Sequence, residues 1–170
     1  MKKIILSLFV ILSSISCTQA QKVNFEKEAL GNVMMATDKS DITFEKILDE
    51  NKGKIIVIDV WASWCADCIK GIPKVKALQE KNKDVTFIFL SMDKTYENWI
   101  FGIEDQVLYG KHYLVADGMK GVFGKSIDLD WIPRYMIVDQ SGKIALYKAV
   151  EADDAKIAET LKKLKQKNKR

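Results

Sequence analysis

The sequence predicts an α/β fold in which a mixed central β-sheet is flanked by helices on both faces. Apolar runs of strand length alternate along the chain with segments of helical periodicity. The strand segments at residues 54–60 (KIIVIDV) and 84–93 (DVTFIFLSMD) are almost continuously apolar, as is typical of strands buried on both faces. Because 170 residues with 48% apolar and 29% charged side chains form an ordinary globular composition, we expect a single folded domain.

The elements of the first half follow from periodicity and from flanking residues. A helix is predicted over residues 41–50, with Ser40 or Asp41 as its N-cap. The buried strand at residues 54–60 comes next. Apolar residues at three-residue steps then predict a one-faced helix over residues 68–81, whose apolar face consists of Ile69, Ile72, Val75 and Leu78.

The second half begins with the strand at residues 84–93 and ends with a helix that has acidic residues early and lysines late, as a helix dipole favours. Between them, a Gln-Ser-Gly turn separates two apolar runs and predicts a hairpin. The predicted segments after the strand are a helix at 96–103, an apolar run at 113–117, a short segment at 119–125, hairpin strands at 134–139 and 143–148, and a helix at 153–167.

Residues 1–20 are predicted to be a signal peptide, followed by an N-terminal extension at residues 21–32 and the folded domain at residues 33–170. A basic start precedes an apolar run of 12 residues, IILSLFVILSSI, which is shorter than the roughly 20 residues of a spanning helix. Thr18-Gln19-Ala20 suits an ordinary signal peptidase. Ile15-Ser16-Cys17 resembles a lipoprotein signal instead, although Ser14 stands where such signals carry Leu, Val or Ile. We expect ordinary cleavage and export to the periplasm or cell envelope, with a lipid anchor at Cys17 as the alternative.

Charge and cysteine content exclude several classes of protein. The net charge of +4 is the small difference between 27 basic and 23 acidic residues, so a nucleic-acid-binding protein is not expected. Three cysteines are too few for a disulfide scaffold. After export, Cys17 takes no part in disulfide chemistry, which leaves Cys65 and Cys68.

The spacing and position of Cys65 and Cys68 favour thiol–disulfide exchange. The pair lies in a Cys-Ala-Asp-Cys segment between a buried strand and the start of a helix. Cys65 would therefore occupy a helix N-terminus, where unpaired amides and the helix dipole stabilise a thiolate. Cys68, one turn further on, is near enough to form a disulfide and more shielded, so that one sulfur attacks and the other resolves.

Other uses of a Cys-x-x-Cys segment fit less well. A zinc site needs two more ligands, and the chain has no second Cys or His pair, since His112 is its single histidine. Haem attachment requires a histidine at position 69, where the sequence has Ile69. An inert structural disulfide remains open as an alternative.

The segment Asp59-Val60-Trp61-Ala62-Ser63-Trp64-Cys65-Ala66-Asp67-Cys68 resembles the active-site segment of the thioredoxin superfamily, and WASWC is typical of its exported TlpA/ResA-like branch. Pro73 matches the proline that bends the active-site helix in this family. Trp131-Ile132-Pro133 matches its cis-proline loop, and Asp139-Gln140-Ser141-Gly142-Lys143-Ile144 matches its hairpin. The resemblance covers residues 33–165 and implies a thioredoxin fold.

The resemblance also implies a role for each matching residue. Cys65 would be the exposed nucleophile and Cys68 the resolving thiol. Pro133 would lie against the disulfide and expose the backbone of Ile132 to a substrate strand. Trp64 would shield the disulfide. Asp59 resembles the buried acid beneath the second cysteine, and a carboxyl in an apolar strand should have a raised pKa, as a proton shuttle needs.

Three departures from the family pattern affect the site. Phe89 stands where thioredoxin carries a lysine paired with the buried acid, and Gly71 stands where ResA-like proteins often carry an acid. The dipeptide between the cysteines is Ala66-Asp67, whereas the family commonly has Pro before the second cysteine. These two residues are therefore expected to modulate the thiolate, and Asp59 would carry the proton transfer alone.

The resemblance implies an exported thiol–disulfide oxidoreductase that reduces disulfides of envelope proteins, with cytochrome c maturation as one candidate process. Its partners would be client proteins with disulfides and a thiol electron donor in the membrane. We expect a monomer that uses no cofactor beyond its own Cys65–Cys68 disulfide and no metal. Two alternatives remain open: an oxidant that forms disulfides, and a non-catalytic thioredoxin-like binding module.

Overall fold

A computed structural model describes residues 22–167, within which seven strands form a single mixed sheet accompanied by six helices. The predicted signal peptide and Cys17 lie outside the described residues. The strands are β1 (Val33–Ala36), β2 (Asp41–Thr43), β3 (Ile56–Trp61), β4 (Thr86–Ser91), β5 (Lys111–Leu114), β6 (Arg134–Val138) and β7 (Ile144–Ala149). The helices are α1 (Lys27–Leu30), α2 (Phe44–Asp49), α3 (Ala66–Lys81), α4 (Tyr96–Gln106), α5 (Val122–Ser126) and α6 (Ala155–Lys167).

The strand order across the sheet is β2-β1-β5-β4-β3-β6-β7. β3 pairs in parallel with β4 and antiparallel with β6, and β4 pairs in parallel with β5. All residues of β3 and β6 are buried. Because side chains alternate between the two faces of a strand, both faces of the sheet centre are covered. The predicted mixed α/β fold is confirmed.

The helix predicted over residues 41–50 is wrong at its start. Residues Asp41–Thr43 form β2, which pairs antiparallel with β1 in a register that places Met35 opposite Asp41. α2 begins only at Phe44, and its cap is Thr43, whose hydroxyl accepts from the Lys46 amide at 3.2 Å. Neither Ser40 nor Asp41 caps it. Residues Asp41–Thr43 are extended because they pair with β1. The periodicity of the local sequence contains no information about a pairing partner elsewhere in the chain.

Most of the other boundaries differ from the predicted ones by one to three residues, and for two of them the structure shows the reason. The apolar run at residues 113–117 contributes only its first residues to β5, because the chain turns where the Gly118 amide donates to the Val115 carbonyl at 3.0 Å. α6 begins at Ala155 and not at residue 153, since Asp154 precedes the helix and accepts from the Lys156 amide at 2.8 Å.

Residues 22–32, the described part of the extension predicted at residues 21–32, pack against the rest of the fold. The ring of Phe25 meets that of Phe44 edge-on with centroids 4.9 Å apart, and Ala29 of α1 is fully buried. The Ile144 amide donates to the Val23 carbonyl at 2.9 Å. This segment therefore contributes to the core beside α2. Between residues 22 and 167, no helix combines the length and apolarity needed to cross a bilayer.

Candidate active site

The two cysteines lie where the buried strand β3 gives way to helix α3. Cys65 is the N-cap residue of α3, and Cys68 belongs to the first turn of that helix. They form a disulfide, with Cα atoms 5.2 Å apart. The backbone amide of Cys68 donates to the Cys65 Sγ at 3.1 Å. The sulfur of Cys65 thus takes the position of a capping oxygen, which a thiolate would occupy more favourably than a thiol.

Exposure at the site differs sharply between the cysteines and their aromatic neighbours. In the disulfide state Cys65 and Cys68 are 6% and 4% exposed, so both residues are buried and the expected greater exposure of Cys65 is not seen in this state. Trp64 is 58% exposed and Trp131 is 60% exposed. These two indoles give the surface around the disulfide an apolar character, of the kind that marks protein-binding sites.

A buried carboxylate anchors the loop that leads to Cys65. Asp93 accepts from the backbone amide of Ser63 at 3.0 Å and from its hydroxyl at 2.6 Å. It also accepts from the hydroxyl of Ser91 at 2.6 Å. Asp93 follows the neighbouring strand β4, and the parallel pairing of β3 with β4 brings the two strand ends together. The network fixes the backbone two residues before Cys65.

The loop before β6 closes the site from the other side. The Ile132–Pro133 peptide bond is cis, as the resemblance implied. Both residues are buried, and the carbonyl oxygen of Ile132 lies 3.6 Å from the Cys65 Sγ. The structure therefore brings the predicted pair of cysteines and the predicted proline loop into direct contact.

Arg134, the first residue of β6, holds the segment before the cis-proline in place. Its side chain is buried, and its guanidinium donates to the carbonyls of Ile127 and Asp128, at 3.2 Å each, and to the carboxylate of Asp130. These acceptors lie in the residues that precede Trp131. A buried arginine directly after the cis-proline thus ties the loop to β6.

Asp59 lies in the middle of β3, and its side chain is buried. Burial raises the pKa of this carboxyl to about 8, and interaction with the Tyr135 side chain opposes the rise. Its Oδ1 atom has no hydrogen-bond partner among the described residues. A carboxyl with this pKa exchanges protons near neutral pH, as a proton shuttle requires.

Ala66 and Asp67, the predicted modulating residues, are both exposed at the start of α3. A cavity of about 540 Å³ lies alongside them, lined by Asp67, Gly71, Trp131, Pro133 and Tyr135 among others. A larger cavity, of about 630 Å³, lies between α3 and α6, and neither cysteine lines either cavity.

His112 is half-buried and lies apart from the two cysteines in the sequence. Its ring stacks on that of Phe89 with centroids 4.9 Å apart, and burial lowers its pKa to about 4. Within residues 22–167, no cluster of His, Cys, Asp and Glu side chains could hold a metal ion.

Sequence reasoning missed three residues of the site: Asp93, Arg134 and Tyr135. Each is a buried polar side chain in or beside an apolar strand. Such residues are costly unless they have hydrogen-bond partners, so their position in the sequence was itself a signal. Their partners, however, lie on other elements, and the sequence does not identify them.

The sequence matches the thioredoxin-like family over residues 53–144. The thiol-disulfide oxidoreductase ResA of Bacillus thuringiensis is 28% identical over 153 residues, which cover 86% of this chain and 82% of that protein. A solution structure of a Bacteroides vulgatus protein assigned as a thiol-disulfide oxidoreductase has 30% identity and a TM-score of 0.66, and the match covers 79% of this chain and 86% of that one.

A third match is shorter. Chloroplastic thioredoxin F of rice is 32% identical over 76 residues, so this chain spans only 40% of that protein. The relatives that cover most of the chain are thiol-disulfide oxidoreductases, and they support that enzyme class here.

Proposed function

This chain belongs to the thioredoxin-like family, and we propose that it is an exported thiol–disulfide oxidoreductase that reduces disulfides of other cell-envelope proteins. In this proposal Cys65 is the nucleophile and Cys68 the resolving thiol. The observation that carries it is the position of the Cys65 Sγ. This sulfur accepts a hydrogen bond from the Cys68 backbone amide at 3.1 Å, and it lies 3.6 Å from the carbonyl oxygen of Ile132. One contact stabilises a thiolate, and the other places the sulfur beside the backbone of the cis-proline loop.

The proposed reaction transfers two electrons from the dithiol to the client. The Cys65 thiolate attacks one sulfur of the client disulfide, and the other client sulfur leaves as a thiolate. Cys68 then loses its proton to a base and attacks the Cys65 Sγ. The second client sulfur is released, the Cys65–Cys68 disulfide forms, and the two client thiolates take up protons from the base and from water.

The surroundings of the disulfide support a protein as the substrate. The backbone of Ile132 adjoins the reacting sulfur, and an added substrate strand would gain main-chain hydrogen bonds there. Trp64 and Trp131 offer exposed apolar area for side chains of the client. Export to the periplasm or envelope, and re-reduction by a thiol donor of the membrane, are parts of the proposal that come from the signal-like residues 1–20 and from the family resemblance.

An insulin-reduction assay with matched cysteine variants tests the assignment. The wild type should reduce insulin in the presence of a thiol donor, and Cys65→Ser should abolish turnover. Cys68→Ser should retain the attacking sulfur and accumulate a mixed disulfide with the client, which mass spectrometry detects. If the wild type is inactive, or if Cys68→Ser forms no mixed disulfide while Cys65→Ser does, the proposed roles are wrong.

The direction of electron transfer is tested by the reduction potential. Asp67 places a negative charge beside the thiolate position, and less stabilisation of the reduced form means a more negative potential. We expect a value of roughly −220 to −290 mV. Asp67→Asn should raise it by about 10–30 mV, since 30 mV corresponds to about 1.4 kcal/mol for a two-electron couple. Equilibration against graded thiol–disulfide buffers measures both. A wild-type value above about −180 mV would favour the disulfide-forming oxidant instead.

A further inference from the structure

We propose that Tyr135 is a positioning residue for thiol–disulfide exchange, whose hydroxyl holds the Asp59 carboxyl so that one oxygen stays free to accept the proton of Cys68. The inference rests on the proposed function above. It adds to that function a residue that acts through Asp59 and touches neither the client nor the sulfurs in the proposed reaction.

The register of the sheet places the two side chains together. Asp59 on β3 lies directly opposite Tyr135 on β6 in the antiparallel pairing. Residues that are directly opposite in such a pair project from the same face of the sheet. The side chain of Tyr135 interacts with the Asp59 carboxyl and lowers its pKa, and the Asp59 Oδ1 has no hydrogen-bond partner among residues 22–167. In the proposed arrangement the Tyr135 hydroxyl is the donor.

The same hydroxyl lies beneath the active-site helix. A Cβ atom built on Gly71 would be 3.8 Å from the Tyr135 Oη. Gly71 is three residues after Cys68, on the same side of α3, because residues three apart are neighbours on a helix surface. The hydroxyl therefore lies against α3 at Gly71, about one turn after Cys68.

The hydroxyl can act only as a donor to the carboxylate at the working pH. Burial is the main cause that raises the pKa of Tyr135, and Asp59, Asp153 and Glu151 raise it further. The hydrogen bond in turn favours the ionised form of Asp59, which burial disfavours. Without the hydroxyl, Asp59 would have no side-chain hydrogen-bond donor within residues 22–167 to stabilise its charge.

Other charged groups face Tyr135 across the cavity of about 540 Å³, and they enter any measurement of pH dependence. They lie on α3 and on the opposite wall, and they are Asp67, Lys70, Lys74, Asp130, Lys148 and Glu151. Basic and acidic groups both occur among them. Four of them form ion pairs with one another, because Lys74 pairs with Glu151 and Lys148 pairs with Asp130.

The test compares two tyrosine variants that each lose one hydroxyl. Tyr135→Phe removes the donor to Asp59 and keeps the ring in the core. Tyr147→Phe is the matched control, because its hydroxyl donates to Asp128 at 2.8 Å. Titration of the ¹³C-labelled aspartate carboxyls by NMR, in the oxidised protein where no active-site thiol titrates, gives the midpoint of Asp59 directly.

We expect the Asp59 midpoint to rise by about half to one pH unit in Tyr135→Phe and to stay unchanged in Tyr147→Phe. The single-turnover rate of the resolving step at pH 7 should fall by about three- to tenfold, and should recover at high pH. In an Asp59→Asn background, Tyr135→Phe should cause no further loss of rate.

An unchanged or lowered Asp59 midpoint in Tyr135→Phe would overturn the proposal. So would an equal loss of rate in the Asp59→Asn background, because the tyrosine would then act by packing alone. The titration involves no substrate. A wild type that fails to reduce insulin would therefore count against the proposed function, while the midpoints would still decide whether Tyr135 controls Asp59.

Discussion

At the scale of single residues, Asp59 couples the stability of the fold to pH. Burial raises its pKa from 3.8 to about 8, so the folded protein retains a proton on this carboxyl that the unfolded chain releases above pH 4. The stabilising contribution of the protonated carboxyl is complete below pH 4 and is lost as the pH rises towards 8. Each unit between the two pKa values corresponds to about 1.4 kcal/mol, so the loss amounts to several kcal/mol.

Asp59→Asn should remove most of this pH dependence. Urea unfolding of the oxidised protein between pH 5 and 9 should show a free energy of unfolding that decreases with pH in the wild type and stays nearly level in the variant. Asp67→Asn, which changes an exposed aspartate of the same region, is the control and should follow the wild type. Parallel slopes for the wild type and Asp59→Asn would mean that Asp59 is not the group responsible.

At the scale of elements, the contact between α4 and the active-site loop depends on a glycine. A Cβ atom on Gly102 would come within 2.6 Å of the Ser63 Cβ and 3.2 Å of the Trp61 ring. Real Cβ atoms essentially never come as close as the shorter of these distances, so α4 or the loop must move. Gly102→Ala should therefore destabilise the fold by about 1–3 kcal/mol, although alanine is the better helix former by about 1 kcal/mol. Insulin reduction should fall as well, because Ser63 precedes Cys65 by two residues.

Gly71→Ala in α3 is the control for this contact. The added Cβ atom would meet its nearest neighbour at an ordinary 3.8 Å, so helix propensity should dominate and stability should stay level or increase by up to about 1 kcal/mol. Chemical unfolding of both variants measures the difference. Equal stability of Gly102→Ala and Gly71→Ala would show that α4 does not need a glycine against the loop.

At the scale of the whole molecule, the segment before β1 is part of the core. Phe25 packs edge-on against Phe44, which packs in turn against Phe123 of α5 with centroids 5.0 Å apart. Phe25→Ala should cost about 3 kcal/mol of unfolding free energy, as is usual for truncation of a buried phenylalanine. Val23→Ala is the control, since Val23 is 53% exposed, and it should change stability by less than about 0.5 kcal/mol.

A chain starting at residue 33, the predicted domain boundary, should therefore fold less stably than one starting at residue 22. Thermal or urea unfolding of the two chains tests this. Equal stability would mean that residues 22–32 contribute nothing to the free energy of unfolding, and that the predicted boundary at residue 33 is correct.

The sequence by itself determined the fold class, the strand at the centre of the sheet, the helix that follows it and the placement of Cys65 between them. These features depend on local properties: β-branched apolar runs, three-residue apolar steps and a Cys-x-x-Cys at a strand–helix junction. The buried carboxyl of Asp59 was recognisable for the same reason, because an acid inside an apolar strand is costly wherever the strand lies.

The tertiary structure alone decided which distant residues meet. The pairing of β2 with β1 converted a predicted helix start into a strand, the β3–β6 register placed Tyr135 opposite Asp59, and Asp93 found its partner in Ser63 at the end of a neighbouring strand. Each of these contacts joins segments that are separated in the chain. Local propensity carries no information about such partners, because their energy arises only when the sheet register and the helix packing bring the groups within bonding distance.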